Sequence, residues 1–295
     1  MKKRTSAIVA LFVMSMIWGL AYIGVQDGLN NSWGTFTILF TRSGIAMVVL
    51  FTICFITKRK FNSRKLFFGA FLCAVSYFIA MTLQTFGQAR TTVSNTSFIT
   101  SLYIVMVPIL TSILSKTKEK PLVWICVIIS IIGCFLLNIN FPISFDKENL
   151  LGNAIVLLSA FFFALQIFFI DKFNKDSDPL SLTAVEMMYT TLFSLLFMGL
   201  TNDFSFHTGG LISIIFVGLF SSSLCNFFQM YGQKYVEPSV SGIIMGLESV
   251  FGCIFAVIFF KESMNFIQII GACLIFLPAI LINIPSKSLE KELVK

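Results

Sequence analysis

The feature that most constrains this chain is a series of about ten apolar runs, most of them about 17–25 residues long. A run of that length, wound as an α-helix, crosses a hydrocarbon core of about 30 Å. Membrane-spanning strands would be about 10 residues long and would alternate apolar and polar residues, unlike these runs. The predicted spans are 7–25, 35–56, 66–83, 93–115, 122–139, 151–170, 180–200, 211–230, 239–260 and 266–284. We therefore predict an all-α integral membrane protein of about ten transmembrane helices.

Composition argues against a water-soluble protein, because only 12% of the 295 residues are charged and 57% are hydrophobic. A soluble domain with so many apolar runs would expose large apolar patches. The net charge of +7 does not indicate nucleic-acid binding, since the Lys and Arg residues lie between the runs and not on one face. The seven cysteines lie inside apolar runs and form no CxxC pair, so we predict no metal site, no disulfide framework and no cofactor.

The basic residues predict the orientation. If the N terminus is cytoplasmic, 17 of the 21 Lys and Arg residues fall on the cytoplasmic side, and Arg42 lies inside a span. Only Arg90, Lys147 and Lys261 fall outside. Cytoplasmic loops carry an excess of Lys and Arg. We therefore predict a multi-pass plasma-membrane protein with both termini cytoplasmic, whose first apolar run is an uncleaved span because no small-x-small site closes it.

The chain also matches itself at an offset of 145 residues. Matched pairs that are not simply apolar are Ser76 and Ser221, Gln84 and Gln229, Gly87 and Gly232, Gln88 and Gln233, Ser94 and Ser239, and Asn138 and Asn283. Each half then holds five spans, and an odd number inverts the second half, as in many secondary transporters. We predict domains at 1–145 and 146–295, the second with a short cytoplasmic tail. The two fused halves already supply a complete inverted pair, so the fold does not need a second chain. A homodimer is an open alternative.

Several short motifs resemble the EamA family of the drug/metabolite transporter superfamily. They are Trp18-Gly19, Arg42 early in the second span, residues 98–108 (FITSLYIVMVP) in the fourth, and residues 247–251 (LESVF) with Phe260-Lys261-Glu262 in the ninth. The resemblance covers almost the whole chain, although Ser249 stands where the family usually has Pro. It implies a transporter in which substrate crosses between the repeats. Relatives of this type mostly export amino acids and related metabolites, and others move sugars, nucleotide-linked compounds or quaternary amines.

Three ionisable residues lie inside predicted spans, where a charge costs about 2.5–3.5 kcal/mol on insertion scales. Glu248 lies about 14 Å deep, near the midplane, and suits a substrate amine or a coupling proton. Arg42 lies about 10 Å from the outer side, and it suits a substrate carboxylate. Glu186 lies about 9 Å from the cytoplasmic side, where we expect an inward vestibule. Structural hydrogen bonds, snorkelling or a fixed ion pair are the alternatives, and by depth Glu248 is the expected partner of Arg42.

Neutral polar and aromatic residues complete the candidate binding site. Gln84, Asn226 and Gln229 lie in spans and either line a cavity or join helices by hydrogen bonds. Trp18 and Tyr22 are expected to form cavity walls. Tyr103, the repeat counterpart of Glu248, is expected to face it across the pseudo-axis. Glu262, at a helix junction, is expected to cap the tenth helix.

An enzyme is the alternative from another class. Asp171, Asp176 and Asp178 cluster in one cytoplasmic loop, and membrane prenyltransferases hold diphosphate through magnesium on Asp-rich loops. The nearest other cytoplasmic carboxylates, Glu119 and Glu237, are isolated, so a second acidic cluster is missing. We therefore predict a non-enzymatic secondary carrier of a small, amino-acid-like metabolite. The predicted carrier exports its substrate by alternating access at a central site, and its partners are that substrate and the lipid bilayer.

Overall fold

The structure is a computed structural model, and it describes residues 2–61, 63–116, 118–137, 147–260 and 265–283. Within these ranges all the regular structure is helical. The helices are α1 (Lys2–Asn30), α2 (Thr35–Ile56), α3 (Arg64–Gln88), α4 (Val93–Ser101), α5 (Tyr103–Ser115), α6 (Pro121–Leu137), α7 (Lys147–Asn174), α8 (Pro179–Leu200), α9 (Leu211–Phe216), a π-helical segment (Val217–Cys225), α10 (Asn226–Tyr235), α11 (Pro238–Met245), α12 (Glu248–Phe260) and α13 (Phe266–Leu281).

Eight helical segments of the described chain are long and apolar enough to cross a membrane. They are Lys2–Asn30, Thr35–Ile56, Arg64–Gln88, Val93–Ser115, Leu150–Asn174, Pro179–Leu200, Leu211–Tyr235 and Pro238–Phe259. Two shorter apolar helices, α6 and α13, occupy the places predicted for the fifth and tenth spans. The prediction of an all-α membrane protein with about ten helices is confirmed. Residues 138 and 139, the predicted end of the fifth span, lie outside the described residues.

The distribution of polarity suits a surrounding bilayer. Large apolar side chains point outward, among them Phe55, which is 86% exposed, and Ile212, which is 85% exposed. The interior instead holds polar groups, including the fully buried Gln166 and Asn226. Exposed apolar surface on this scale is unfavourable in water but matches lipid chains.

The largest contacts between helices join the two halves of the chain: α3 lies along α7, α2 along α8, and α6 along α13. A side chain at Gly87 on α3 would overlap Val156 on α7, and one at Gly232 on α10 would overlap Leu11 on α1. These two pairs are related by the 145-residue offset of the sequence repeat. The halves therefore contact each other twice in equivalent ways, as inverted repeats do.

One end of the bundle, which we call the basic face, carries the connections α2–α3, α5–α6 and α7–α8. Ion pairs join two of these connections: Arg59 Nη1 lies 2.9 Å from Asp178 Oδ1, and Lys65 Nζ lies 2.5 Å from Asp176 Oδ2. Asp178 also caps α8, because its side chain accepts a hydrogen bond from Ser181 N. The first ion pair thus joins the start of α8 to the segment after α2, and the second joins the α7–α8 connection to the start of α3.

At the opposite face of the bundle, a carboxylate in the α8–α9 connection is hydrogen-bonded to the start of α2. Asp203 Oδ2 accepts a 2.8 Å hydrogen bond from Phe36 N, and the Thr37 hydroxyl also donates to Asp203. The N-cap position of α2 is Gly34, which has no side chain that could accept a hydrogen bond from the first turn. Asp203, which is far away in sequence, accepts that hydrogen bond instead. Nearby, Trp33 Nε1 donates to the carbonyl of Gly209 at 2.7 Å.

The predicted spans 93–115 and 239–260 are both present, but a short turn, which we call a break, interrupts the regular α-helix in the middle of each. The break between α4 and α5 falls at Leu102, and the break between α11 and α12 falls at Leu247 and the residue before it. Leu102 N bonds to Ile99 O, and Leu247 N bonds to Ile244 O, each at 3.2 Å. Both are bonds to the third preceding residue, a tighter turn than the α-helical one. The two breaks are 145 residues apart.

Glu262, which is expected to cap the tenth helix, lies outside the described residues. The N-cap residue of α13 is Asn265. Its side chain accepts from Gln268 N at 2.9 Å, and the Gln268 side chain accepts from Asn265 N at 2.9 Å. This reciprocal pair is a capping box.

Candidate functional site

A cavity lies between α1, α2, α3, α7, the π-helical segment and the two broken spans. Its empty volume is about 440 Å³, part of it open to the surroundings, and its narrow interior leaves a water-sized molecule little freedom to move. That is room for a few water molecules. The polar lining consists of Tyr22, Arg42, Tyr77, Gln84, Gln88, Thr100, Tyr103, Ser221 and Glu248. The larger apolar lining residues are Trp18, Met81 and Phe163.

Tyr103 and Glu248, the residues that follow the two breaks, both line this cavity. The backbone N–H groups around each break are bonded to carbonyls of the preceding turn, as Val105 N is to Leu102 O and Val250 N is to Leu247 O, each at 3.0 Å. The broken spans are in contact with each other: a Cβ at Gly246 would overlap the Ile104 side chain. Glycine at this position therefore allows α11 to lie close against α5.

Arg42 is 4% exposed and is held by hydroxyl groups. Its Nε donates to Ser222 Oγ at 2.7 Å, and its Nη2 donates to Ser221 Oγ at 3.1 Å. The ion pairs of the described residues all involve other side chains, near the basic face. Arg42 is thus a buried guanidinium beside a cavity without a carboxylate in ion-pair contact, and its expected pairing with Glu248 is not present.

The serines that hold Arg42 belong to the π-helical segment Val217–Cys225. The corresponding residues of the first half, 72–80, are α-helical within α3. A π-helical turn carries one more residue per hydrogen-bonded loop and therefore changes which side chains face inward. The segment places both Ser221 and Ser222 against Arg42. Such segments are frequent at functional sites.

Glu248 is 3% exposed and lies beside the hydroxyl groups of Tyr22 and Tyr103. Its Oε1 has no hydrogen-bond partner among the described residues, and neither has the Tyr103 hydroxyl. A carboxyl oxygen left in this state retains its capacity to accept a hydrogen bond. Glu248 and Arg42 therefore line one cavity, and neither is in an ion pair among the described residues.

Amide side chains on α3 fix α1 beside the cavity. Gln84 Nε2 donates to the Tyr22 hydroxyl at 3.3 Å and to Thr100 Oγ1 at 3.0 Å. One turn later, Gln88 Nε2 donates to the Tyr22 carbonyl at 2.8 Å. Trp18, on the same helix as Tyr22, donates from Nε1 to the Ser221 carbonyl at 3.3 Å. The cavity wall is therefore held in place by polar contacts from both halves.

The structure brings six of the nine predicted site residues together at the cavity. They are Trp18, Tyr22, Arg42, Gln84, Tyr103 and Glu248. The other three do not line it. Glu186 accepts a 2.8 Å hydrogen bond from Gln166 Nε2, Asn226 Nδ2 donates to the Tyr77 hydroxyl at 3.1 Å, and Gln229 is buried in α10.

Sequence reasoning does not place Gln88, Thr100, Ser221 or Phe163 in the binding site. Three of them carry a signal in the repeat. Phe163 lies 145 residues after Trp18, Gln88 belongs to the repeated Gly-Gln pair, and Ser221 is the counterpart of Ser76. The contact of Ser221 with Arg42 depends on the π-helical segment, for which the sequence gives no signal.

The three aspartates that suggested an enzyme are each paired with a base. Asp171 accepts from Lys175 at 3.2 Å, and Asp176 and Asp178 pair with Lys65 and Arg59. A cluster that holds magnesium diphosphate needs free carboxylate oxygens. The Asp176 and Asp178 pairs join the α7–α8 connection to the α2–α3 region at the basic face, and the Asp171 pair lies at the end of α7.

Comparison with known proteins identifies the family. The profile of the EamA-like transporter family matches twice, at residues 5–139 and 150–284. The chain belongs to the EamA-like transporter family. This EamA-like transporter is therefore a membrane transporter of the drug/metabolite transporter superfamily.

Two relatives show how far the similarity of the EamA-like transporter extends. An uncharacterised transporter of Archaeoglobus fulgidus is 26% identical over 283 residues, which cover 96% of this chain and 87% of the relative. A protein of known crystal structure, 13% identical, superposes with a TM-score of 0.80 over 97% of this chain and 99% of the other. The second likeness shows that the fold is shared.

Proposed function

We propose that this transporter is a secondary carrier that exports small zwitterionic, amino-acid-like metabolites through the central cavity. The observation that supports this proposal is the placement of Arg42 and Glu248 at one cavity with no ionic contact to each other. A molecule with a carboxylate and an ammonium group complements both. The serine contacts of Arg42 position its planar guanidinium, which binds carboxylates in bidentate fashion.

Transport requires the cavity to change size. Space for a few water molecules does not admit a metabolite, so the surrounding helices must separate on one side and then on the other. The inverted halves suit such alternating access. So do the breaks in the fourth span of each half, because broken helices at repeat interfaces form the substrate sites of many carriers. We further propose that the basic face is cytoplasmic, in accordance with the excess of Lys and Arg there.

A quaternary amine is the second candidate substrate. Trp18, Tyr22 and Tyr103 line the cavity together with Glu248, and aromatic faces with a carboxylate suit a cation without a carboxyl group. This substrate does not need Arg42. The dependence of transport on Arg42 therefore separates the two candidates.

The test is counterflow in proteoliposomes that contain the full chain and are preloaded with one unlabelled compound. Labelled zwitterionic amino acids and labelled choline are assayed separately. For an amino-acid carrier, Glu248→Gln and Arg42→Gln should each reduce counterflow at least tenfold. The matched controls Glu237→Gln and Arg90→Gln, at exposed positions, should leave it unchanged.

Choline counterflow that needs Glu248 but not Arg42 would select the second candidate. Amino-acid counterflow that survives both cavity substitutions would refute the proposed site and leave the family assignment intact. Folding of each variant is checked by its elution in size-exclusion chromatography.

A further inference from the structure

A second buried carboxyl group lies away from the cavity, on α8. Glu186 is 0% exposed. Its Oε1 accepts a 2.8 Å hydrogen bond from Gln166 Nε2 on α7, and its Oε2 has no hydrogen-bond partner among the described residues. The group does not belong to the cavity lining described above, so the binding of substrate there does not explain it.

The groups around Glu186 do not supply a compensating charge. From α3, the thiol of Cys73 and the phenol of Tyr77 are its titratable neighbours. Gln166 of α7 is neutral, and α10 places Asn226 against the adjacent Met187. Helix α2 also packs against α8, but its Arg42 donates its hydrogen bonds to Ser221 and Ser222 and forms no ion pair with Glu186 in the described chain. Because an uncompensated buried charge is strongly unfavourable, the carboxyl group carries a proton in this conformation.

On α7, which supplies Gln166, and on α10, several buried amide oxygens also have no hydrogen-bond partner within the part of the chain that the structure describes. They are Gln166 Oε1, Asn174 Oδ1, Asn226 Oδ1, Gln229 Oε1 and Gln233 Oε1, all on α7 and α10. Asn174 is the last residue of α7, at the basic face. Buried polar oxygens are hydrogen-bonded in the great majority of cases. A set of them on two helices indicates a region that takes up water in another conformation.

The repeat identifies that conformation. Ala21, Gln84 and Gln88 line the cavity of this structure, and their counterparts 145 residues later are Gln166, Gln229 and Gln233. If the halves exchange conformations, these three amides line the equivalent cavity, which opens towards the basic face. In that conformation Gln166 is in contact with the water of the open cavity, and Glu186, its hydrogen-bond partner, becomes accessible to water.

We propose that Glu186, held by Gln166, is a proton-binding site separate from the substrate cavity, and that it exchanges its proton with water at the basic face. This proposal rests on alternating access as put forward under the proposed function. The step is a simple transfer with its two halves on opposite sides of the membrane. When the central cavity is open to the face opposite the basic face, the carboxylate takes a proton from hydronium by way of the cavity, where Tyr77 is both a lining residue and a neighbour of Glu186, and leaves water. When the carrier opens to the basic face, the carboxyl group gives this proton to water, which forms hydronium. The substrate then moves in exchange for a proton.

Infrared spectroscopy of the reconstituted full chain tests the proton site without any substrate. Difference spectra between neutral and alkaline pH record the C=O stretch of protonated carboxyl groups, and exposed carboxylates are already ionised at neutral pH. Glu248→Gln protein should retain one such band, which the double variant Glu248→Gln/Glu186→Gln should lose. Gln166→Leu should move the band to higher frequency, because the carbonyl loses its hydrogen bond. A band that persists in the double variant, or is missing from Glu248→Gln protein, would overturn the proposal.

Transport distinguishes coupling from the carrier function itself. Counterflow at equal pH measures the carrier, and accumulation driven by a pH gradient measures coupling. Glu186→Gln should keep counterflow of labelled amino acids and lose accumulation, whereas Glu237→Gln should keep both. If Glu186→Gln protein still accumulates substrate in response to a pH gradient, coupling through Glu186 is contradicted. It is also contradicted if the native chain shows counterflow but no accumulation. Absence of all counterflow would count against the proposed function, while the infrared bands would still decide the protonation of Glu186.

Discussion

The side-chain amide of Gln88 donates a 2.8 Å hydrogen bond to the main-chain carbonyl of Tyr22, and the second half repeats this contact. There, Gln233 donates to the carbonyl of Ile167 at 3.1 Å, with both partners displaced by 145 residues. In each half the bond ties the third span to the first. The inverted repeat is thus expressed in individual hydrogen bonds as well as in helix order.

This relationship predicts equal losses on substitution. Gln88→Leu and Gln233→Leu should each lower the free energy of unfolding by about 0.6–2 kcal/mol, the range for side-chain hydrogen bonds between membrane helices. Reversible unfolding in mixed micelles measures the change. A loss at only one of the two positions would show that the bonds are not equivalent.

Close helix contact at Gly19 predicts a steric effect. A Cβ there would lie 2.7 Å from the backbone nitrogen of Gly252, so α1 and α12 must separate in Gly19→Ala. We expect a loss of about 1–3 kcal/mol, as for other overpacked sites. Gly199→Ala is the matched control, because a Cβ at Gly199 meets nothing within 4 Å. Thermal unfolding in detergent compares the two, and equal melting temperatures would contradict the close packing of α1 on α12.

The double role of Asp178 predicts different effects for two substitutions. Asp178→Asn removes the charge that pairs with Arg59 but retains an oxygen that can cap α8, and exposed ion pairs contribute about 0–1 kcal/mol. Asp178→Ala also removes the cap, a further loss of about 1 kcal/mol. Unfolding in detergent measures both variants. If Asp178→Asn lowers the free energy of unfolding as much as Asp178→Ala does, the whole effect belongs to the ion pair and the cap contributes nothing.

The exposed pair at the basic face predicts a pH effect on one carboxyl group. The hydrogen bond and the charge of Lys65 hold the pKa of Asp176 below its ordinary value. The stabilisation is therefore present above the ordinary pKa of about 3.9 and is lost as the pH falls through the lower folded value. In Lys65→Met the pKa of Asp176 should rise, as read from its carboxyl ¹³C shift during titration, whereas Lys58→Met should leave it unchanged.

Much of the fold follows from sequence because its causes are local. Apolar runs of sufficient length must form helices in a bilayer, where backbone groups have no other partners. The polar identities at a 145-residue offset reveal the repeat. Trp18, Tyr22, Arg42, Gln84, Tyr103 and Glu248 could be chosen because ionisable, amide and aromatic groups deep in spans need a reason to be there.

The remainder depends on packing between distant residues. Nothing in the apolar sequence around Leu102 or Leu247 indicates a break, and Pro108, the obvious helix breaker nearby, lies inside α5. Depth in the membrane alone makes Glu248 the expected partner of Arg42, but the π-helical turn presents two serines to it instead. Depth along a span does not determine rotation about the helix axis, and rotation decides which side chains meet.

The breaks at Leu102 and Leu247 place two different side chains at equivalent positions of the repeat. Tyr103 and Glu248 follow the breaks, are 145 residues apart and both line the cavity. Both are also buried, at 2% and 3% exposure, so a substitution at either position alters packing as well as chemistry. A backbone built of two equivalent halves therefore carries an asymmetric lining, to which one half contributes a phenol and the other a carboxyl group.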